Sequence, residues 1–490
     1  MKSALKILLW LLLVLAVVFG IQLWRLDRDG LPAPAPLPPR ALDEAAIAQR
    51  LGGALAIPTI SVAAGAAIDT DAFAALADYL AAQFPRVHAS LRREVIGDGS
   101  LLYEWPGSDA QAAPVLLLAH LDVVPIEPGT EARWTQPPFS GAIADGHIWG
   151  RGALDDKTSA VAQLEAIEIL LAAGYAPRRT VYLAYGHDEE IGGEHGARVM
   201  AAMLAQRGVR AEFLIDEGGA ITQGVVAGLA RPVASIMTAE KGYVSFRLTA
   251  RGDGGHASIP PPQTAVGRLS RAMARVQDQP LPARLTPPVE RMLLRLAPEM
   301  PLPNRLLIAN RWLFEPLLLR TMAGVPVTNA LVRTTTAPTM LSAGIKDNVL
   351  PTEAQGVINF RLLPGDDIAT VAAHLRRVID DPGIELSILD GFTSQASRVS
   401  STDNAAFALL ERTTREVFPQ AVVTTGIVTG GTDARHYDAV ADSRYNFLPV
   451  LLQREDLARV HGTDERISVA GYADAVRWYA RLLEGLNAPP

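Results

Sequence analysis

Residues 115–120 read VLLLAH, an uninterrupted apolar run that ends on a histidine. A short run of this kind is typical of a strand that is buried on both faces of a parallel sheet. Four further residues with metal-binding side chains follow or adjoin comparable stretches: Asp155, Glu190, Asp216 and His461. In open α/β sheets, ligands bind at the carboxyl ends of the strands. The pattern therefore predicts an α/β fold with His120 and these four side chains at one edge of a sheet.

The chemistry of these five side chains points to a divalent metal site. Imidazole and carboxylate ligands without a thiolate suit a catalytic zinc ion or a similar metal. Two histidines and three carboxylates exceed the needs of one tetrahedral ion, and they match two ions that share a bridging carboxylate, an arrangement used for metal-assisted hydrolysis. A hydrolase with a single metal or with a metal other than zinc is the alternative.

Bulk composition narrows the class of protein. A chain of 490 residues predicts two or three domains. The formal net charge of −7 gives no support to a nucleic-acid partner, which requires a basic face. The chain has no cysteine, so a disulfide scaffold, a thiolate metal site and a cysteine nucleophile are excluded.

The N-terminus informs on location. Residues 7–24 carry no charge, and Lys2 and Lys6 precede them. A run of this length predicts an uncleaved transmembrane signal anchor over residues 1–29, with a cleaved signal peptide as the alternative. The two lysines place the N-terminus in the cytoplasm and the catalytic part on the extracytoplasmic side, in the periplasm or an equivalent compartment. Residues 30–40 are rich in proline and predict a semi-rigid linker.

From residue 41 to 237, strand-like apolar runs alternate with amphipathic helix patterns. The helices are predicted at residues 71–84, 157–173 and 194–206. This alternation predicts a mainly parallel sheet with helices on both faces, the first part of a catalytic domain.

Residues 238–390 have a different pattern, which predicts a separate domain. Two β-α-β units are predicted from strands at 242–250, 354–361 and 384–389 and helices at 264–277 and 367–379. Such units suggest a ferredoxin-like α+β lid or dimerisation domain. Because His461 lies beyond it, the lid is predicted to be inserted, with residues 391–490 completing the catalytic domain. The apolar residues 280–340 predict either extra helices at the lid core or a subunit interface, or an apolar wall or membrane-facing patch.

Neighbouring acidic residues leave several roles open. His120 and Asp122 point the same way in an extended chain, so Asp122 can orient the histidine ring. Asp155 and Asp156 precede a predicted helix, and one of them can cap it while the other binds metal.

Glu189 and Glu190 are adjacent, so their side chains diverge. One of them can bind metal while the other acts as a general base. The chain has no GxSxG nucleophile elbow and no P-loop, which removes two competing chemistries.

Together these motifs resemble the co-catalytic zinc aminoacylase/carboxypeptidase family, in particular its carboxypeptidase S and N-fatty-acyl-amino-acid synthase/hydrolase branch. The resemblance is carried by AHLDVVP, GRGALDDK, GHDEEIGG, LIDEGG, GGHASIP, GGTDARHY and HGTDE, from residue 119 to residue 465. It implies a zinc-peptidase-like fold and two Zn2+ ions per subunit. One departure is Thr158, where many members have glycine.

The resemblance also implies residue roles. The bridging carboxylate is Asp155; one metal is held by His120 and Asp216, and the other by Glu190 and His461. Glu189 is the implied general base, Asp122 the orienting partner, and His256 the lid histidine that polarises the scissile carbonyl. The implied substrate-binding residues are Asn348, Arg361, Gly431 and Thr432.

The expected function is an exported dizinc metallohydrolase that cleaves the amide bond of a peptide or an N-acyl amino acid next to a free carboxylate, as a carboxypeptidase or dipeptidase. The alternative is an N-fatty-acyl-amino-acid hydrolase/synthase. A non-catalytic binding protein on the same fold is the remote alternative, since it should lack a ligand or the base and every expected position is filled. The expected partners are a small-molecule substrate, a membrane through the N-terminal helix, and a second subunit through the lid.

Overall fold

The computed structural model describes residues 2–28, 38–226 and 228–487; residues 30–37 of the predicted linker lie outside these ranges. Its helices are α1 Lys2–Arg28, α2 Glu44–Leu55, α3 Thr70–Gln83, α4 Pro85–Ser90, α5 Lys157–Ala172, α6 Ala197–Gln206, α7 Ala265–Asp278, α8 Pro287–Leu296, α9 Leu302–Ala309, α10 Arg311–Ala323, α11 Pro326–Val332, α12 Ile368–Ile379, α13 Ala405–Val417 and α14 Val469–Gly485.

The strands are β1 Arg92–Ile96, β2 Ser100–Trp105, β3 Val115–His120, β4 Ile143–Ala144, β5 His147–Trp149, β6 Val181–Gly186, β7 Ala211–Asp216, β8 Ile221–Gln223, β9 Val233–Glu240, β10 Gly242–Arg251, β11 Gly255–His256, β12 Thr335–Ala343, β13 Val349–Leu350, β14 Glu353–Leu362, β15 Ile384–Ile388, β16 Val422–Val428, β17 Ala441–Asn446, β18 Leu451–Gln453 and β19 Arg466–Ser468.

The large sheet has the order β1-β2-β6-β3-β7-β17-β9-β8-β18, and β16 also pairs with β9. Its centre, from β6 through β3 and β7 to β17, is parallel, while β1 and β2 form an antiparallel edge. Alternate residues of β3 enter different apolar clusters: Val115 and Leu117 pack with α5, and Leu116 and Leu118 pack with α6. The strand is therefore buried on both faces, and the predicted α/β fold is confirmed.

A second sheet has the order β12-β14-β10-β15 and is antiparallel throughout. Helices α7 and α12 cover it and share its apolar core, which includes Val244, Leu269, Phe360 and Leu375. The chain passes through this unit as β-α-β-β-α-β, so the predicted ferredoxin-like α+β fold is confirmed.

Between α7 and β12 the chain forms helices α8 to α11. They build an apolar cluster separate from that of the lid sheet, around Leu293, Ile308, Leu318 and Met322. Leu26 of α1 is buried in the same cluster. Residues 280–340 therefore form helices up to Val332, as one of the two interpretations predicted. Their apolar cluster does not complete the core of the lid sheet: α8 packs on β16, and α9 packs on α1.

Helix α1 has 27 residues and a length of about 40 Å. Its apolar side chains are exposed over most of that length. Among the described residues, α1 is the one helix that is long and apolar enough to cross a membrane. Signal sequences have the same length and composition.

Candidate active site

Parallel pairing of β3 and β6 places two predicted site segments side by side. In this register His120 lies opposite Gly186, so the loop that begins at His187 passes directly beside the histidine. Strand β7 flanks β3 on its other side and ends on Asp216. The carboxyl ends of the three strands therefore meet at one edge of the sheet, as the sequence predicted.

A short antiparallel pairing brings the distant C-terminal motif to the same edge. Strand β19, which follows the HGTDE motif, pairs with β5, which precedes the GRGALDD turn. Arg151 and Glu465 form a buried ion pair across this junction, and Glu465 also accepts a hydrogen bond from the N–H of Leu154 at 2.7 Å. Arg151 donates to the carbonyl of His461 at 3.1 Å. These contacts hold His461 over the turn that carries Asp155.

The carboxylate of Asp155 lies between two imidazoles. Its Oδ1 is 2.8 Å from Nε2 of His120, and its Oδ2 is 3.0 Å from Nε2 of His461. The neighbouring Asp156 is buried, and its side chain accepts the N–H of Ser159 as the N-cap of α5. The structure thus divides the pair that the sequence left open: Asp156 caps the helix and Asp155 faces the histidines.

Glu190 and Glu189 diverge as expected. Oε2 of Glu190 is 3.2 Å from Nε2 of His461, and its Oε1 is buried without a hydrogen-bond partner among the described residues. Glu189 offers a carboxylate oxygen near His120, where one atom from each of these residues and from Glu217 lies within 4.8 Å of the others.

Asp122 connects the histidine with this loop. Its Oδ1 accepts the N–H of Glu189 and its Oδ2 accepts the N–H of Glu190, both at 3.1 Å. Nδ1 of His120 lies 2.9 Å from the carbonyl oxygen of Asp122 and 3.4 Å from its Oδ1. Asp122 therefore orients the ring and the acidic loop together, a wider role than the sequence indicated.

At the end of β7, Glu217 approaches His120, and the predicted ligand Asp216 makes hydrogen bonds to backbone N–H groups. The two carboxylate oxygens of Asp216 accept N–H groups of Glu217 and Ala434, at 3.0 and 2.7 Å. Oε1 of Glu217 lies 3.7 Å from Nε2 of His120. Among the described residues, Asp216 is in neither of the two acidic–imidazole groups that could hold a metal, whereas Glu217 is in one. The adjacent acidic residue in LIDEGG was the only signal for Glu217.

Crowding of carboxylates in a buried site shifts their protonation. Burial raises the pKa of three carboxyl groups: Glu189, Glu190 and Glu217. Hydrogen bonds with Asp155 and Glu190 raise the pKa of His461 to about 10. Burial opposes ionisation of Asp155, but the two imidazoles outweigh it and hold the pKa of this carboxyl below its usual range. The site therefore concentrates negative charge, which a bound cation would stabilise.

His256 and Asn348 lie together in an exposed hairpin of the lid. His256 on β11 pairs with Val349 on β13, and the carbonyl of Asn348 accepts the N–H of Ala257. The imidazole Nδ1 is 2.7 Å from the hydroxyl of Ser258. Among the described residues, the structure does not bring His256 into hydrogen bonds with the carboxylate–imidazole cluster.

Arg361 lies on β14, with its guanidinium stacked 4.6 Å from the ring centroid of Tyr243. Burial lowers its pKa, and the nearby cation Arg435 acts in the same direction. Arg435 donates to the carbonyl of Gly192 in the acidic loop at 3.0 Å. It was missed at the sequence level, although it stands in the GGTDARHY motif.

The glycine-rich loop that contains Gly431 and Thr432 precedes Arg435 in the chain. Gly431 is exposed, and a Cβ there would lie 2.6 Å from Nη1 of Arg435. Thr432 is buried; its hydroxyl donates to Glu240 and accepts from Asn446 at 3.0 Å. The structure therefore gives the Thr432 side chain a place in a buried network behind the loop.

Sequence comparison identifies relatives over almost the whole chain. The profile of peptidase family M20/M25/M40 matches residues 116–485. The N-fatty-acyl-amino acid synthase/hydrolase PM20D1 of Xenopus tropicalis is 40% identical over 451 residues, which cover 91% of this chain and 87% of the relative. The probable carboxypeptidase S-like 2 of Dictyostelium discoideum is 39% identical over 448 residues, covering 90% of this chain and 85% of the relative.

Solved structures share the fold. An M20 family metallo-carboxypeptidase from Sulfolobus solfataricus superposes with a TM-score of 0.66 at 19% identity, covering 91% of this chain and 99% of the other. Human carnosine dipeptidase 1 gives 0.61 at 15% identity, covering 92% and 99%. The resemblance inferred from the motifs is thus confirmed: the chain belongs to peptidase family M20/M25/M40 and is an amide-bond hydrolase.

Proposed function

We propose that this protein is a dizinc hydrolase that cleaves an amide bond next to a free carboxylate. The observation that carries the proposal is the position of Asp155, whose two oxygens face the imidazoles of His120 and His461 at 2.8 and 3.0 Å. A carboxylate with one imidazole beside each oxygen can bridge two metal ions, each of which would also be bound by one histidine.

The distances among the side chains fit zinc. Two ligands at 2.0–2.1 Å from a tetrahedral zinc ion lie about 3.3–3.4 Å apart. The nitrogen–oxygen distances within the cluster run from 2.8 to 3.7 Å. Oε1 of Glu190, which is buried and has no hydrogen-bond partner in the described part of the chain, also suits a ligand oxygen. On this geometry one ion would be held by His120, Asp155 and Glu217, and the other by Asp155, Glu190 and His461.

The ions, when bound, would act as Lewis acids and lower the pKa of a bound water to about 7. Glu189 is then the general base: it accepts a proton from water as the amide carbonyl is attacked and delivers it to the leaving nitrogen. Burial raises the pKa of Glu189, which makes its carboxylate a stronger proton acceptor. Asp122 keeps His120 and the Glu189 backbone in place.

A free carboxylate on the substrate would bind Arg361 and Arg435. Each guanidinium lies over an aromatic ring, Tyr243 and Phe392 respectively, at 4.6 and 4.7 Å from the ring centroid. Such stacking orients the fork of donors that a carboxylate accepts. Gly431 has no side chain, so the loop backbone lies close to the guanidinium of Arg435.

Two substrate classes follow from the relatives. The name of the Xenopus relative supports N-fatty-acyl amino acids, and that of the Dictyostelium relative supports peptides with a free C-terminus. The apolar cluster of α8 to α11 includes Leu363, two residues beyond Arg361, and this favours an apolar acyl group. We therefore place N-acyl amino acid hydrolysis first and carboxypeptidase activity second.

The lid and the N-terminal helix complete the proposal. Residues 238–390 would act as an inserted lid that carries His256 to the scissile carbonyl, from the same subunit or from a second one. Strand β12 is an edge strand whose residues from Pro338 to Ala343 are exposed, which suits pairing with a second lid. Helix α1 would anchor the enzyme, with its catalytic part on the extracytoplasmic side.

The test uses the full-length enzyme in detergent and measures amine release from N-acyl amino acids and dipeptides before chelation, after chelation and with zinc restored. We expect release that chelation abolishes and zinc rescues, with two zinc ions per chain by elemental analysis. Glu189→Gln should keep both ions and lose about 10²–10⁴ in rate. Its control is Glu194→Gln, an exposed position nearby. One bound ion at full activity, or no release from any carboxylate-bearing amide with metal bound, would contradict the proposal.

A further inference from the structure

Helices α9 to α11 expose apolar side chains that the proposed hydrolysis does not explain. The exposed large residues of these helices and of the turn between α10 and α11 are Leu302, Trp312, Leu313, Leu317, Val325 and Val327, here called the apolar patch. Leu317 is 51% exposed and Val327 72%. The helices also have a packed inner face, which contains Ile308, Leu318 and Met322. They are thus apolar on both the buried and the outer side.

The N-terminal helix supplies a reason for this. Leu26 is buried among α8 to α11, and Asp27 forms an ion pair with Arg305 of α9. Further up the helix, the ring of Phe19 lies 5.6 Å from that of Phe314 on α10, in an edge-to-face contact. Helix α1 is therefore packed along α9 and α10, and it does not leave the domain as a free stalk.

These contacts fix the depth of α10 relative to the apolar segment of α1. That segment ends at Trp24, and Phe19 lies five residues before it. At 1.5 Å per residue, Phe314 is level with a point about 7.5 Å inside the apolar segment. Helices that lie in a membrane interface bury their apolar face about 5–10 Å. If α1 spans a bilayer, α10 must enter its surface.

The composition of α10 suits this position. Trp312 is of the type enriched at membrane–water interfaces. Glu315 and Arg320 are exposed on the same helix, which sets α10 at the level of the headgroups, where a long arginine side chain reaches phosphate. The cluster below the patch includes Val332 and Leu363, and Leu363 follows Arg361 by two residues. The apolar cluster under the patch therefore extends to the segment that follows Arg361.

We propose that helices α9 to α11 are embedded in the lipid leaflet beside α1, so that the enzyme sits on the bilayer through the apolar patch as well as through its anchor. This rests on the proposed role of α1 as a membrane anchor. It extends the proposed function, because long-chain N-acyl amino acids partition into the same leaflet.

The chain has no cysteine, so single cysteines can carry an environment-sensitive fluorophore. We would label Leu317→Cys and Val327→Cys in the full-length protein, reconstituted in phosphatidylcholine–phosphatidylglycerol vesicles with its N-terminus verified by mass. The control is Val95→Cys, which is 57% exposed on the edge strand β1 of the large sheet. This edge lies away from β16, the strand on which α8 packs.

We expect the labels at positions 317 and 327 to be quenched at least twofold more by lipids brominated near the headgroup than the label at position 95, and to be shielded from aqueous iodide. Iodide access equal to that of position 95 would overturn the proposal. Shielding from iodide without lipid quenching would mean that protein, such as a second copy, covers the patch, and would also overturn it. Because no substrate is used, the outcome is independent of whether the enzyme hydrolyses N-acyl amino acids.

Discussion

Arg151 and Glu465 form an ion pair with 2.5 Å between Nη1 and Oε2, and both side chains are buried. The two residues are 314 positions apart in the chain. The pair joins the turn before Asp155 to the segment after His461. Asp155 and His461 are in contact with each other in the proposed metal site. This ion pair thus holds the segments that carry Asp155 and His461 together at the proposed metal site.

Replacing Glu465 with alanine should strongly destabilise the protein. The change leaves the Arg151 guanidinium buried without its partner carboxylate, and the loss of one member of a buried pair costs about 3–5 kcal/mol. Urea unfolding of the full-length enzyme in detergent, followed by tryptophan fluorescence, measures the difference. The control is Asp442→Ala, which removes an exposed pair with Arg210 and should cost less than about 1 kcal/mol. Equal costs for the two variants would contradict the structural role of Glu465.

Glu217 and Asp216 should differ in their effect on metal content. Glu217→Ala removes a carboxylate that faces His120, so we expect the loss of one of two zinc ions after dialysis. Asp216→Asn keeps an oxygen that can accept the N–H of Ala434, so we expect both ions to remain. Elemental analysis of the folded proteins measures this. Loss of zinc in Asp216→Asn and retention in Glu217→Ala would return the ligand role to the residue predicted from the motif.

Arg361→Met should weaken binding of substrates through their carboxylate. Hydrogen bonds to a charged group contribute about 1.5–3 kcal/mol, so kcat/KM should fall roughly 10- to 150-fold. For the matching substrate with a carboxamide in place of the carboxylate, the same change should have little effect. Arg251→Met, at an exposed end of the neighbouring strand, is the control. An equal loss with both substrates would mean that Arg361 supports the lid and does not bind the carboxylate.

The buried amine of Lys241 should make stability depend on pH. Burial lowers the pKa of Lys241 from 10.5 to about 7, while its Nζ donates to the carbonyls of Ala330 and Arg333. Between pH 7 and 10 the unfolded chain binds a proton that the folded protein does not. The free energy of unfolding should therefore rise with pH, by up to about 1.4 kcal/mol per unit from this residue.

Lys241→Met removes this contribution and keeps the side-chain volume. The difference in unfolding free energy between the wild-type protein and the variant should increase from pH 7 to pH 9, as measured by urea titrations at each pH. Lys157, whose pKa is also lowered to about 7, is present in both proteins and cancels. A difference that stays constant with pH would show that the lysine is ionised in the folded state.

Much of the architecture could be predicted from local patterns. The apolar run at 115–120 is buried on both faces because a central parallel strand has helices on either side. The helix predicted at 157–173 is observed as α5, Lys157–Ala172, since the helix propensity of its alanine, leucine and glutamate residues and its N-terminal aspartate act over a few residues. The lid domain could be predicted from the alternation of apolar and polar residues in its strands and the helical spacing of apolar residues in its helices. These patterns are equally local. The sequence motifs were sufficient to identify the family.

Tertiary structure decided what adjacent, chemically alike residues do. Nothing local distinguishes Asp155 from Asp156, or Asp216 from Glu217, because each pair offers a carboxylate at a strand end or helix start. The direction of each side chain depends on what packs there: Ser159 and Ala434 offer N–H groups to one member of each pair, and His120 faces the other. The contact of α1 with α10 likewise joins segments about 300 residues apart, which no local pattern encodes. Sequence thus determined which chemistry this protein carries, and long-range packing determined which atoms carry it.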